Sequence, residues 1–245
     1  MKSGSLLILA LLLGFSSVAQ LKQPARLEIP ITDQQDIRCF NSGEDGVYLI
    51  QASQDIKQRE IVWDMHFVDT TLSIRNSIQF RYNNSRRYLI NASHNGDPYF
   101  LFANFQRGVL EIIHFDNPTG DTTVYSIVNP FAFSLADFHV TDEAALLTGY
   151  YKEKPIILHY SFARNRVKVV PGLYNDRSQL DQIKTNEDSS FDVIIKEPTP
   201  NRRRGIAVRR YSPNGVLMFE SRIHPTDKNL LYGRALSLPS GEILV

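Results

Sequence analysis

Tyr88-Leu89-Ile90-Asn91-Ala92-Ser93-His94-Asn95-Gly96-Asp97-Pro98-Tyr99-Phe100-Leu101-Phe102 reads as a short strand, a turn of Asn, Gly and Asp, and a second, apolar strand. The same arrangement occurs four more times. Ile37–Phe40 leads to Val47–Ile50, Phe138–Val140 to Ala145–Leu147, Gln182–Lys184 to Phe191–Ile195, and Ala235–Leu238 to Glu242–Val245. The second strands begin 52, 46, 46 and 51 residues apart. A separate anchor repeats at the same interval: a histidine or arginine followed by an aromatic at the end of an apolar run. It reads Met65-His66-Phe67, Ile113-His114-Phe115, Leu158-His159-Tyr160 and Arg209-Arg210-Tyr211, with aromatics 48, 45 and 51 residues apart.

Each interval leaves room for two further strands. They are Ile61–Phe67 with Leu72–Phe80, Leu110–Phe115 with Thr122–Val128, Ile156–Tyr160 with Val167–Val170, and Ile206–Tyr211 with Val216–Arg222. Ser212-Pro213-Asn214-Gly215 makes the last of these the clearest hairpin, because proline presets the second turn position and glycine closes it. No segment keeps a helical period. Leu173–Asp181 comes nearest and reads as a connection. Four antiparallel strands per unit of 45–52 residues are the blade of a β-propeller, so the fold expected is all-β.

The units resemble those of secreted repeat propellers of the WD40 and kelch kind over Ile37–Val245. The resemblance lies in period and turn chemistry. The Gly-His and Trp-Asp signatures, the kelch Gly-Gly pair and the Ser-x-Asp-x-Gly-x-x-Trp box of sialidase-like blades are absent, which leaves the subclass open. The fifth unit stops at Val245, and a propeller must close. The sequence is therefore expected to be a fragment or the N-terminal part of a longer chain. Leu27-Glu28-Ile29-Pro30-Ile31 alternates like a lone strand and is a candidate for closing the ring.

The start of the chain reads differently. Lys2, the apolar run Leu6–Phe15 and the small residues Ser17-Val18-Ala19 form a secretory signal, too short to span a bilayer, with cleavage after Ala19. The organisation expected is residues 1–19 signal, 20–35 lead, and 36–245 four blades and the start of a fifth. No transmembrane segment follows the signal, and the protein is expected to be secreted, periplasmic or at the cell surface. Without Lys2 the 27 basic residues fall to 26 against 26 acidic, so no global field draws nucleic acid or an acidic membrane. Cys39 is the single cysteine, which rules out an intrachain disulfide, and its apolar-leaning surroundings predict a buried thiol.

Three sets of residues could carry chemistry. The first-to-second-strand turns each hold an acid: Asp45, Asp97, Asp142 with Glu143, Asp188 with Glu187, and Glu242. In a ring these would share one rim and could bind a cation or act as a glycosidase pair, although acids are also ordinary turn residues. Arg202-Arg203-Arg204, with Arg209, Arg210 and Lys196 nearby, is the densest basic cluster, and Arg86-Arg87 is a smaller one. Such clusters suit an anionic glycan or partner, or simply a solvated loop; only Tyr211 lies near the larger one, against the interleaved aromatics that single-stranded nucleic acid needs. His66, His114 and His159 could ligate a metal, but equivalent strands of three blades splay apart and cannot converge. Two sequons, Asn83-Asn84-Ser85 and Asn91-Ala92-Ser93, matter only where asparagine is glycosylated.

No nucleophile elbow or phosphate loop is present, and neither cofactor, metal nor catalytic residues are assigned. The reading favoured is a binding or scaffold module that recognises a protein or glycan through rim loops, with Asp45, Asp97, Asp142, Asp188, Glu242 and Arg202–Arg204 as binding candidates. The alternatives are a polysaccharide-acting hydrolase or lyase with carboxylates at the mouth, and an appendage to a functional domain further along the chain.

Overall fold

The computed structural model describes residues 26–30, 36–43, 46–55, 57–128, 131–173, 178–198 and 204–223, and short strands at 236–237 and 243–244. The signal segment, Asp45, Arg202, Arg203 and Glu242 lie outside the described residues. All regular structure among those described is β-strand. Blade 1 comprises β1 (Asp36–Asn41), β2 (Gly46–Asp55), β3 (Glu60–Asp69) and β4 (Ile74–Asn83). Blade 2 comprises β5 (Arg86–His94), β6 (Asp97–Asn104), β7 (Val109–Phe115) and β8 (Thr122–Ile127). Blade 3 comprises β9 (Ser134–Val140), β10 (Ala144–Tyr151), β11 (Lys154–Ser161) and β12 (Arg166–Val169). Blade 4 comprises β13 (Gln179–Thr185), β14 (Phe191–Pro198), β15 (Arg204–Tyr211) and β16 (Leu217–Ile223). Each is a four-stranded antiparallel sheet in chain order, which is the propeller blade, and β17 (Leu236–Ser237) pairs with β18 (Ile243–Leu244) where the fifth unit was expected.

Turn chemistry sets each meander. At the β5–β6 turn Asn95 (φ 50°) and Gly96 (φ 80°) both occupy the left-handed region, the conformation of a tight two-residue hairpin and one that Asn and Gly enter at least cost. The middle strands are apolar without alternation because both their faces are covered. Phe100 and Phe102 point one way from β6, Tyr99 and Leu101 the other, and all four are buried.

The core is therefore a set of seams between blades. Ile50, Trp63 and Met65 of blade 1 meet Phe100, Phe102, Ile113 and Phe115 of blade 2. Tyr99, Leu101 and Ile112 meet Val140, Ala145, Leu147, Leu158 and Tyr160 of blade 3. Leu146, Ile157 and Val170 meet Phe191, Val193, Ile195 and Tyr211 of blade 4. Burying one such side chain contributes about 1.5–3 kcal/mol, so the seams hold the array without disulfides. First strands of successive blades approach one another (β5 with β9, β9 with β13) on the inside of the array. Fourth strands lie on the perimeter, and β16 is exposed along its whole length.

Three expectations change. Arg26–Pro30 form no strand; within this stretch the Pro30 carbonyl accepts a bond from Gln51 Nε2 of blade 1 at 2.9 Å. Cys39 is exposed, because β1 is an edge strand and Phe40, not Cys39, turns toward blade 2. The histidine–aromatic pair is equivalent in three blades, not four. The turns after the third strands close at Asp69, Asp116 and Ser212, whose amides donate to Ser73, Asp121 and Val216. The residues before them, Val68, Phe115 and Tyr211, are the true counterparts, so His66-Phe67 sits one residue early. A one-residue offset in a strand moves a side chain to the other face. Phe67 accordingly lies beside Tyr48 on the blade 2 side, while Phe115, Tyr160 and Tyr211 each face the preceding blade.

Candidate functional site

The first-to-second-strand turns of all four blades lie at one end of the array, joined by side chains that cross the seams. Ser42 Oγ and Tyr48 Oη of blade 1 both donate to the Gly96 carbonyl of blade 2, at 2.9 and 2.7 Å. Burial pushes the Tyr48 phenol up, aided by the nearby Asp97 carboxylate, which keeps it a neutral donor. His94 Nε2 and Asn95 Nδ2 of blade 2 lie 2.7 and 2.9 Å from Asp142 Oδ1 of blade 3. Ser189 Oγ of blade 4 reaches Asp142 Oδ2 at 3.4 Å. A carboxylate only accepts, so His94 presents Nε2–H. Asp142 thereby ties three blades together.

The turns after the third strands lie at the same end and add a second tier. Asn76 Nδ2 donates to the Asn117 carbonyl across the first seam at 2.7 Å. His159 Nε2 donates to the Pro213 carbonyl across the third at 2.7 Å, and Lys168 Nζ reaches the Asn214 carbonyl beside it. Asp97 couples the two tiers within blade 2, accepting from His114 Nε2 at 3.0 Å and from the Asn117 amide at 2.9 Å. Tyr99 stacks on His114 with ring centroids 4.3 Å apart.

The predicted acids therefore separate by role. Asp97 and Asp142 are spent on holding blades and turns. Asp188 is exposed and caps its own turn, accepting from the Ser190 hydroxyl at 2.5 Å and amide at 3.0 Å. The hydroxyl bond holds its carboxyl below the usual range, so it stays charged. Asp188, Glu187, Glu143 and the outer side of Asp142 give this end an exposed carboxylate surface.

Of the predicted basic cluster, Arg202 and Arg203 lie outside the described residues, and the described members separate. Arg204 opens β15 at the opposite end of the blade from the acids. Arg209 and Arg210 point to opposite faces of that strand. Arg209 is buried against Glu197, Glu220 and the Gly172 carbonyl, while Arg210 pairs with Asp192. Strand alternation breaks a run that looks continuous in sequence. The histidines also stay apart: His66 bonds to Ser77, His114 to Asp97 and His159 to Pro213. No cluster of His, Cys, Asp and Glu able to hold a metal occurs among the described residues. Of the sequon asparagines, Asn83 caps Ser85 and Asn91 accepts from Tyr88 Oη.

The sequence reading missed Ser42, His94, Asn95 and Ser189, whose only signal was their place in equivalent turns. It also missed an end-to-end charge difference. The described first-to-second-strand turns and strand starts hold Asp97, Asp142, Glu143, Glu187 and Asp188 and no lysine or arginine. The described second-to-third-strand turns and strand starts hold Lys57, Arg59, Arg107, Lys152, Lys154 and Arg204 against Glu60 and Glu153. One end is acidic and the other basic, although the chain as a whole is nearly neutral.

No protein-family model matches the chain, and no curated protein matches it. Among solved structures it is similar to the β-propeller domain of the Trilobed protease from Pyrococcus furiosus, which has an open velcro topology. That pair shares 14% identity over 80% of this chain and 59% of the other, with a TM-score of 0.47. It is also similar to a prolyl endopeptidase, at 10% identity over 90% of this chain and 32% of the other, with a TM-score of 0.53. What is shared at this identity is the fold. The chain spans less than two thirds of the first structure and about a third of the second. Among the described residues no helix is long and apolar enough to cross a membrane.

Proposed function

We propose that this chain is an exported propeller module that recognises a protein or glycan through the acidic end of its blades. The observation that supports this is the chain of hydrogen bonds from Ser42 through Gly96, His94 and Asn95 to Asp142 and Ser189. It fixes the turns of four blades relative to one another, and a rigid scaffold presenting exposed turn side chains is how such folds place binding groups. Glu143, Glu187 and Asp188 are the contact residues in this reading, and cationic groups on the partner complement them. Asp97 and Asp142 are positioning residues.

The test is binding to glycan and peptide arrays by the chain and by a triple variant, Glu143→Gln, Glu187→Gln and Asp188→Asn, which leaves the blade ties intact. Ligands captured by the parent chain should be lost or weakened at least about tenfold in the variant, and more so at low salt. Equal binding by the two proteins would remove the acidic end from the function. A second reading has one observation in its favour. The prolyl endopeptidase match covers only 32% of that larger protein, so the propeller also fits the role of a module attached to a separate functional domain.

A further inference from the structure

At the basic end, the seam between blades 1 and 2 opens into a cavity of about 410 Å³ lined by Arg38, Ile61, Tyr82, Asn84, Arg86, Arg87 and Tyr88. Three arginines, two tyrosines and an asparagine border it, with no carboxylate among the described residues of the lining. We propose that this cavity binds an anionic sugar, with the carboxylate, sulfate or phosphate held by the arginines and the ring lying along Ile61 and Tyr88. The site is separate from the acidic end and does not depend on the reading given above.

The arginines are prepared for such a ligand. Glu111, fully buried behind the wall, takes Nε of Arg86 at 2.5 Å and Nδ2 of Asn104 at 2.9 Å. This fixes the Arg86 guanidinium, whose two terminal nitrogens have no hydrogen-bond partner among the described residues. Arg38 is oriented by Asp36, and its guanidinium carbon stands 5.4 Å from the centre of the Tyr88 ring. Arg87 is exposed and has no ion-pair partner among the described residues. The three lining arginines thus have two carboxylate partners, Asp36 and Glu111, neither of them among the described lining residues. Arg107, 3.8 Å from Glu111, adds a further positive charge. Guanidinium forks match planar or tetrahedral oxyanions with two parallel hydrogen bonds.

Size and wall chemistry argue for an oxyanion carried on a ring. A bare sulfate or phosphate would leave most of the space, and the partly exposed side chains of Ile61 and Tyr88, uncovered. The volume falls in the range of small-ligand pockets, about 300–1,000 Å³. Burial pushes the Tyr82 phenol up to about 12 and that of Tyr88 upward as well, so both rings stay neutral beside the anion. Asn84 offers donors and an acceptor to ring hydroxyls.

Isothermal titration with glucuronate, glucose 6-sulfate, glucose 6-phosphate and uncharged glucose tests this. At least one charged sugar should bind and glucose should not. Which of the three binds identifies the oxyanion. Arg87→Ala should weaken that binding at least about tenfold with unchanged circular dichroism, and Arg87→Lys should fall between, since it keeps the charge and loses the fork. Raising NaCl should weaken it further. The acidic-end triple variant should bind the sugar as the parent does. Absence of binding by all three anions, equal binding of glucose, or indifference to Arg87→Ala would overturn the proposal.

Discussion

Arg209 offers the sharpest test of how blade 4 is held. Its guanidinium donates to Glu197 at 2.6 Å, to Glu220 at 3.1 Å, and to the Gly172 carbonyl in the connection from blade 3 at 2.9 Å. The side chains of Arg209 and Glu197 are 6% and 8% exposed. Removing one member of a buried pair costs about 3–5 kcal/mol, because the other charge stays buried without its partner. Arg222, half exposed and 3.7 Å from Glu197, recovers a part, so Arg209→Met should cost about 3 kcal/mol, the low end of that range. Adding Glu197→Leu should restore much of the loss, since replacing both members of such a pair is near neutral.

Urea unfolding at neutral pH, followed by fluorescence of Trp63, the single tryptophan, measures both the single and the double variant. A cost below about 1 kcal/mol for Arg209→Met, or a double variant as unstable as the sum of the singles, would refute the reasoning.

Other outcomes follow from the same geometry. His159 is buried, its Nε2 is committed to Pro213 and its Nδ1 has no partner, so burial holds its pKa below the ordinary value. Stability should be full above pH ~6.5 and fall by up to about 1.4 kcal/mol per unit as pH drops from there toward the folded pKa. Urea titrations should show that dependence reduced in His159→Gln. At Gly149, where β10 carries a bulge, a Cβ would stand 2.0 Å from the Ser134 carbonyl oxygen, a backbone atom that cannot rotate away. Gly149→Ala should therefore cost about 3 kcal/mol in thermal or urea melts, and a loss under 1 kcal/mol would show that β9 can yield. Cys39, exposed on its edge strand, should react with an aromatic disulfide reagent in the native protein; reaction only in denaturant would contradict its placement.

Much of the fold was legible because it is written locally. Asn95-Gly96 and Ser212–Gly215 specify turns through the backbone conformations those residues accept, and the apolar cores of β6, β10 and β14 announce strands covered on both faces. Repetition at 45–52 residues then implies a blade, since an isolated four-stranded sheet of that composition could not bury both faces alone. Side-chain roles were less legible. Asp142 and Asp188 look alike as turn acids, yet one binds three blades and the other caps its own turn, and that depends on which neighbours the seams bring within 3 Å.

The sequence by itself determined strand lengths, turn positions, blade period and the all-β class, because hydrogen-bonded turns and hydrophobic patterning act over a few residues. Tertiary structure decided which residues count. Packing of blade on blade spent Asp97 and Asp142 on holding turns, put Cys39 on a bare edge and parted Arg209 from Arg210. It shifted His66-Phe67 by one residue onto the wrong face, and it gathered Arg38, Arg86 and Arg87 from two blades into one cavity. Strand parity and contacts between distant units set these outcomes, and neither is carried by any one stretch of the chain.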